Sequence, residues 1–199
     1  MNLYYVPGAC SLGPHIIIRE AGLDAKLDKV TFGAQRTTES GKDFYTINPQ
    51  GAVPALELDN GEVLTEAQVL LQYLAAQNPS ANLAITEGPQ RWRFLETLNF
   101  IATELHKGTG PLFKPNPDEV KEAAKANLVN RYKLLEQKLG DKDYLLGQFT
   151  VADAYAYVVL NWARLFGVPL SAKLNTYFER IRARPAVQQT LKEEGLPTS

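Results

Sequence analysis

Hydrophobic and polar positions divide the chain into a mixed first part and a helical remainder. In the first 80 residues, short apolar runs alternate with turn-forming residues. This pattern predicts strands over residues 3–6 and 27–32, on either side of a helix over residues 12–21. A strand–helix–strand unit of this length implies parallel strands joined by a right-handed crossover.

The next segment predicts a hairpin followed by a helix. Residues 33–42 are polar and are interpreted as a loop, and residues 43–47 suit a short helix. Asp59-Asn60-Gly61 separates two short alternating runs, which indicates a hairpin. Thr65-Glu66-Ala67 begins a helix that continues to about Asn78. The predicted order β-α-β-α-β-β-α is a thioredoxin-like layout.

The rest of the chain predicts helices only. Thr150 and Asp153 have the spacing of a capping box. Trp92, Tyr132 and Trp162 stand among apolar residues at helical spacing and are expected in the core. The predicted helices span residues 91–107, 118–139, 150–166, 170–183 and 186–194. The fold class is therefore α+β with two domains, a thioredoxin-like domain (1–79) and an all-α domain (89–199), joined by a linker (80–88).

Composition and charge exclude several classes of protein. The formal net charge is −1 and no basic run stands out, which argues against nucleic-acid binding. No leader pattern or bilayer-length apolar run is present, so we expect a cytoplasmic protein without a membrane anchor. One cysteine and two separated histidines exclude an internal disulfide and argue against a metal site.

The single cysteine is the first candidate for chemistry. Cys10 lies where the first strand turns into the first helix. Free N–H groups and the positive end of the helix dipole favour a thiolate there. A free cysteine can instead be a small buried hydrophobe. The flanking Pro7, Gly8 and Ser11 describe a loop or cap, which favours the chemical interpretation.

Two further signals lie in the first domain. Val53-Pro54 enters a predicted strand from a loop, where a cis peptide bond would expose the Val53 backbone to a ligand. Glu66 and Ala67 begin a helix, where free amides can bind an anion and Glu66 can hold an ammonium group. A plain first-turn acid is the commoner explanation of Glu66.

The long helix predicted over residues 91–107 carries the last signal. Asn99, Thr103 and His106 recur on one face, and Lys107 follows directly. An exposed polar face is the simpler explanation. A histidine near a helix end is also biased towards imidazolium, and that cation or Lys107 could stabilise a nearby thiolate.

Four segments together resemble the beta class of bacterial glutathione S-transferases. Residues 3–12 (LYYVPGACSL) are similar to the class signature, and residues 48–56 (NPQGAVPAL) are similar to the cis-proline segment. Residues 99–107 (NFIATELHK) resemble the helix-four segment, and residues 149–155 (FTVADAY) the helix-six capping motif. The resemblance covers essentially the whole chain in order.

The resemblance implies a homodimer with glutathione as co-substrate and no permanently bound cofactor or metal. Val53 would pair its backbone with the cysteinyl part of glutathione, while Glu66 and Ala67 hold the γ-glutamyl end. Cys10 and His106 would act on the sulfur as the catalytic residues. The implied glutathione-binding set is Tyr5, Cys10, Gln35, Val53, Glu66, Ala67, Asn99, Thr103, Glu104, Leu105, His106 and Lys107, with Asn99 and Thr103 contributed by the other subunit.

Two positions depart from the family pattern. Ala67 stands where many relatives have serine, so only its N–H can bind a carboxylate. Gln35 stands where the class often has lysine, and Arg36 could compensate for the missing charge.

The predicted function is conjugation of glutathione to small hydrophobic electrophiles in detoxification. Cys10 could also form a mixed disulfide with glutathione, giving thiol–disulfide exchange or reductive dehalogenation. The alternative from another class is a non-catalytic binding or regulatory protein with the same fold, which predicts no affinity for glutathione.

Overall fold

The computed structural model describes residues 1–33 and 35–198. It divides into two compact units, one formed by Met1–Leu83 with Arg184–Ser199 and the other by Ala84–Ala183. The sequence predicted that the C-terminal segment belongs to the all-α domain (89–199). In the structure this segment belongs to the first unit because its helix packs against the first helix of the chain.

The helices of the structure agree closely with the predicted pattern. The first unit also contains 3-10 turns at Phe44–Thr46 and Pro79–Ala81, the former within the predicted short helix. The α-helices are α1 (Leu12–Glu20), α2 (Ala67–Gln77), α3 (Gly88–Phe100), α4 (Lys107–Thr109), α5 (Asp118–Leu139), α6 (Val151–Leu165), α7 (Ala172–Arg182) and α8 (Pro185–Glu193).

A five-stranded sheet forms the centre of the first unit, in the order β3-β2-β1-β4-β5. The strands are β1 (Asn2–Tyr5), β2 (Lys26–Thr31), β3 (Thr37–Thr38), β4 (Ala55–Glu57) and β5 (Val63–Thr65). β1 runs parallel to β2 and antiparallel to β4, and β4 and β5 form the predicted hairpin. The thioredoxin-like layout is confirmed.

The prediction of a loop over residues 33–42 is wrong at residues 37 and 38. Thr37 and Thr38 form β3, which pairs antiparallel with Thr31 and Val30 of β2. A two-residue strand is too short to show a period in the sequence, so only the pairing reveals it.

The C-terminal segment is joined to α1 by charged groups. Arg184 donates two hydrogen bonds to the Glu20 carboxylate, at 2.6 and 2.9 Å. His15 is fully buried, and its Nδ1 and Nε2 lie 2.9 and 2.8 Å from carboxylate oxygens of Glu194 and Glu193. These pairs hold α8 against α1 inside the first unit.

The second unit is helical, and α6 forms the middle of its core. All residues of α6 from 151 to 160 are buried. The predicted capping box is present, because Asp153 accepts from the Thr150 N–H and the Thr150 hydroxyl lies against the first-turn amides. Tyr132 and Trp162 are buried as predicted. Trp92 is 67% exposed, so its predicted core position is wrong.

The long helix predicted over residues 91–107 is not a uniform α-helix. It consists of α3, a π-helical segment (Ile101–His106) and α4. π-Helical turns are rare and often occur at functional sites. None of the described helices is long and apolar enough to cross a bilayer. The described residues contain no group of three His, Cys, Asp or Glu side chains arranged to hold a metal ion.

Candidate functional site

The predicted residues of the first unit gather at one edge of the sheet. β1 and β2 are parallel, so the loops that follow them leave the sheet at the same edge. Val53 lies two residues before β4, and Glu66 immediately follows β5, at the matching end of the hairpin, where Ala55 pairs with Thr65. The fold therefore brings together segments that are far apart in the sequence.

Cys10 and Val53 are in direct contact. The Cys10 thiol donates a hydrogen bond to the Val53 carbonyl at 3.0 Å. The Val53–Pro54 peptide bond is cis, as predicted. Within residues 1–33 and 35–198, the Val53 N–H has no hydrogen-bond partner, so a ligand can bind it.

The prediction that Cys10 is a thiolate is wrong. Burial raises the pKa of the thiol to about 12, and the nearby Glu66 carboxylate raises it further. Backbone amides of Cys10 and Ser11 act in the opposite direction, as the position before a helix predicts. Loss of water outweighs those amides, so Cys10 is a protonated hydrogen-bond donor at neutral pH.

The loop that carries Cys10 is fixed at both ends. The Ser11 hydroxyl accepts from the Val6 N–H at 3.1 Å and lies 3.2 Å from the Val6 carbonyl oxygen, to which it donates. The Glu194 carboxylate accepts from the Gly8 N–H at 2.8 Å. Sequence reasoning missed Glu194, because nothing in its local pattern connects it with a loop at the other end of the chain.

Glu66 has an unusual backbone conformation. Its φ is 68° and its ψ is 114°, a region that costs a non-glycine residue about 1–3 kcal/mol and is found mainly at functional sites. Its side chain is exposed. The amides of Ala67 and Gln68 begin α2 and, within the described residues, bond to no acceptor. A carboxylate and free helix-start amides thus lie beside Val53.

Gln35 and Arg36 belong to the loop that follows β2. Gln35 is exposed. The Arg36 guanidinium donates to the Gly51 carbonyl and lies 4.4 Å from the centre of the Phe32 ring. The guanidinium thus already has partners within the first unit, and the expected compensation by Arg36 stays a prediction.

Tyr5 lies on the α1 side of the sheet. Its ring packs against His15, with ring centres 5.8 Å apart. Burial raises the pKa of its hydroxyl, and the carboxylate of Glu194 adds to that effect. The described contacts of Tyr5 therefore support a packing role, and its predicted contact with glutathione stays a prediction.

His106, in the second unit, is held by aromatic side chains. Its Nδ1 lies 2.6 Å from the Tyr155 hydroxyl, and its ring meets Trp162 edge-on with ring centres 5.0 Å apart. Burial lowers the pKa of His106. The predicted bias towards imidazolium is therefore wrong, because the helix continues past His106 into α4 and the ring loses water.

The neighbours of His106 lie in different environments. Asn99 and Thr103 are exposed, as is Lys107. Glu104 pairs with Arg131 of α5, with Nε and Oε2 3.0 Å apart. Leu105 is fully buried, so its side chain packs in the core of the second unit. Asn99, Thr103 and Lys107 therefore present exposed side chains that a ligand can contact, and the side chain of Glu104 is partly exposed.

Comparison with protein families gives two matches. The model of the glutathione S-transferase N-terminal domain matches residues 8–77. The model of the glutathione S-transferase C-terminal domain matches residues 100–185. Both described units therefore contain a recognised domain.

Two curated relatives illustrate the range of similarity. Glutathione S-transferase GstA of Escherichia coli O157:H7 is 43% identical, covering 98% of this chain and 100% of that protein. Maleylacetoacetate isomerase of Pseudomonas aeruginosa is 25% identical and covers 95% of this chain and 94% of that protein.

Solved structures give the same result. A sphingomonad glutathione S-transferase complexed with glutathione is 46% identical, with a TM-score of 0.93 over 99% of this chain and 100% of that one. A beta class glutathione S-transferase of Sphingomonas chungbukensis is 44% identical, with a TM-score of 0.93, and covers 99% and 100% of the two chains.

Proposed function

The chain belongs to the glutathione S-transferase family, and on that premise we propose that it conjugates reduced glutathione to small hydrophobic electrophiles. Glutathione is the co-substrate in this proposal, and no permanently bound cofactor takes part. The electrophile class and the roles of individual residues are inferred from the chemistry of the described groups.

The observation that carries the proposal is the set of unpaired groups at the edge of the sheet. The Val53 N–H is free, and its carbonyl accepts from the Cys10 thiol. The free amides of Ala67 and Gln68 suit a carboxylate, and the Glu66 side chain suits an ammonium group. A short extended peptide with an amino-acid end and a thiol matches this arrangement, and glutathione is such a peptide.

In the proposed reaction the attacking sulfur belongs to glutathione. Its thiolate attacks the electrophilic carbon, a carbon–sulfur bond forms, and the leaving group departs with the bonding electrons. A protonated Cys10 can stabilise the thiolate by donating a hydrogen bond, and a neutral His106 can do the same through its ring N–H. The raised pKa of Cys10 favours this donor role over a nucleophilic one.

Calorimetry with glutathione tests the binding part of the proposal. Replacing Glu66 by glutamine removes the carboxylate that is proposed to hold the ammonium group, and we expect affinity to fall about tenfold. Glu62→Gln is the matched control, because Glu62 is exposed in the turn before β5, at the other end of that strand from Glu66, and among the described residues its side chain bonds to Asn60. Equal affinity in the two variants would contradict the assigned role of Glu66.

Cys10→Ala separates conjugation from thiol–disulfide exchange. Conjugation of glutathione to 1-chloro-2,4-dinitrobenzene should persist at a reduced rate, because the attacking sulfur is not that of Cys10. Exchange with a glutathione mixed disulfide should be lost, because the variant has no thiol. Complete loss of conjugation with glutathione binding intact would make Cys10 essential for both reactions.

The assembly and the cellular location are also proposed. We expect a homodimer, in which Asn99 and Thr103 of each chain contribute to the site of the other. Sedimentation equilibrium should give twice the chain mass of 22.1 kDa. We place the protein in the cytoplasm, where glutathione keeps thiols reduced, and cell fractionation checks this.

The non-catalytic alternative is not favoured. It predicts a chain without affinity for glutathione. Relatives that match the full length of this chain are named glutathione S-transferases. If calorimetry detected no glutathione binding at millimolar concentration, the binding-module interpretation would replace the enzymatic one.

A further inference from the structure

A tyrosine of α6 contacts the proposed catalytic histidine. The Tyr155 hydroxyl lies 2.6 Å from Nδ1 of His106, and the two rings meet edge-on with centres 5.7 Å apart. Tyr155 is 2% exposed. In the sequence Tyr155 is only the last residue of the capping segment 149–155, and its contact with His106 exists only in the tertiary structure.

The chemistry of the two groups decides which of them donates. A phenol is a strong O–H donor and a weak acceptor, whereas the unprotonated nitrogen of a neutral imidazole is a strong acceptor. Burial keeps His106 neutral near pH 7. The hydroxyl of Tyr155 therefore donates to Nδ1, which leaves the proton of the ring on Nε2.

The other ring nitrogen is available for a ligand. Within the part of the chain that the structure describes, Nε2 of His106 makes no hydrogen bond. Trp162 packs edge-on against the same ring at 5.0 Å and limits its rotation. A ring held in this way presents one N–H donor in one direction.

Tyr155 is itself held in place by the beginning of α6. It lies in the first helical turns, two residues after Asp153, whose carboxylate accepts from the Thr150 N–H at 2.8 Å and from the Tyr177 hydroxyl at 2.6 Å. These bonds fix the start of α6, the helix that carries Tyr155.

We propose that Tyr155 is a positioning residue that holds His106 as the Nε2–H tautomer, so that Nε2–H donates to the glutathione thiolate. This inference rests on the proposed function for the identity of the anion. The tautomer itself follows from the Tyr155 contact and the burial of the ring, and it can be tested without any substrate.

Nitrogen NMR of the imidazole rings gives the direct test. The chain has only two histidines, and His15 differs from His106 because carboxylates face both of its ring nitrogens. We expect His106 to show one protonated nitrogen, Nε2, at neutral pH. An imidazolium signal or an Nδ1–H signal for His106 in the wild-type chain would overturn the proposal, and this measurement needs no variant.

Tyr155→Phe removes the hydroxyl and keeps the ring. We expect the nitrogen signals of His106 to move towards a mixture of the two tautomers. We also expect kcat/KM for glutathione to fall about tenfold, the usual effect of losing a group that orients a catalytic side chain. The pKa of the bound glutathione thiol, read from the pH profile of kcat/KM, should rise.

Tyr157→Phe is the matched control. Tyr157 lies in the same helix, is equally buried and stacks on Phe178, without contacting His106. The Tyr157→Phe variant should leave the nitrogen signals of His106 and the pH profile of kcat/KM unchanged. Unchanged signals in the Tyr155→Phe chain would refute the positioning role. If glutathione failed to bind the wild-type chain, the proposed function would fail while the tautomer prediction could still be confirmed.

Discussion

The protonation of Cys10 gives the sharpest test of the site. The structure raises the thiol pKa from the ordinary 9.0 to about 12 through burial. At neutral pH the thiolate fraction should therefore be about a thousandfold smaller than in an exposed cysteine. A more basic thiolate is more nucleophilic, and this rise in the thiol pKa increases the reactivity of each thiolate by about a factor of 30. Alkylation of Cys10 should be about 30-fold slower than alkylation of an exposed thiol.

The chain offers a clean assay, because Cys10 is its only cysteine. Iodoacetamide adds one group to one thiol, and mass spectrometry follows the single adduct over time. The same chain unfolded in urea supplies the exposed reference at each pH. Glu66→Gln should label slightly faster than the wild-type chain, since the Glu66 carboxylate contributes to the raised pKa.

The pH dependence separates protonation from mere inaccessibility. If the thiol pKa is raised, the labelling rate of the folded chain keeps rising tenfold per pH unit above pH 9, whereas the rate of the unfolded chain levels off near the ordinary thiol pKa of 9.0. A thiol that is only shielded would be slow at every pH and would level off with the unfolded chain. A plateau of the folded chain near pH 9, or labelling at pH 7 as fast as in urea, would refute the reasoning.

Three further predictions concern stability and pH. Asp153→Ala should lower the free energy of unfolding by about 3 kcal/mol in urea melts, because it leaves buried donors unpaired. The control is Asp143→Ala, which removes an exposed ion pair and should lower the free energy of unfolding by no more than about 0.5 kcal/mol. Glu194→Ala should cost about 3 kcal/mol, because it removes a buried carboxylate that bonds to both His15 and the Gly8 N–H; a loss below about 1 kcal/mol would contradict this. Burial lowers the pKa of His106 in the folded chain. Below the pKa of about 6.5 that this histidine has in the unfolded chain, the unfolded chain binds more protons than the folded one, so the free energy of unfolding decreases as the pH is lowered. His106→Phe should remove that part of the slope in melts between about pH 5 and 7, and an unchanged slope would contradict it.

Local pattern explains why so much of the fold could be predicted. Helices and strands follow from which positions along a segment are apolar, and capping residues mark their ends. The pattern therefore predicted the bounds of α5 and the existence of the hairpin of β4 and β5. It missed β3, which is too short for a period, and it misplaced Trp92, because helical spacing shows a face without showing whether another element covers it.

The π-helical segment shows a second kind of limit. Residues 101–106 carry the same apolar stripe that an α-helix would carry, and Leu105 is buried as that stripe predicts. This segment packs against α5 and α6 in the folded chain. A stripe of apolar residues cannot distinguish the two kinds of helix.

The sequence by itself determined the family, the two-part organisation and the identity of the candidate residues, because these depend on segments whose pattern is local. Only the tertiary structure decided how those residues ionise and what they contact. Cys10 is protonated because the fold buries its thiol, which donates to the carbonyl of Val53, 43 residues away. His106 is neutral because the fold removes its ring from water, and its orientation follows from the contact with Tyr155, 49 residues away. Desolvation depends on everything that surrounds a group, and those surroundings exist only in the folded chain.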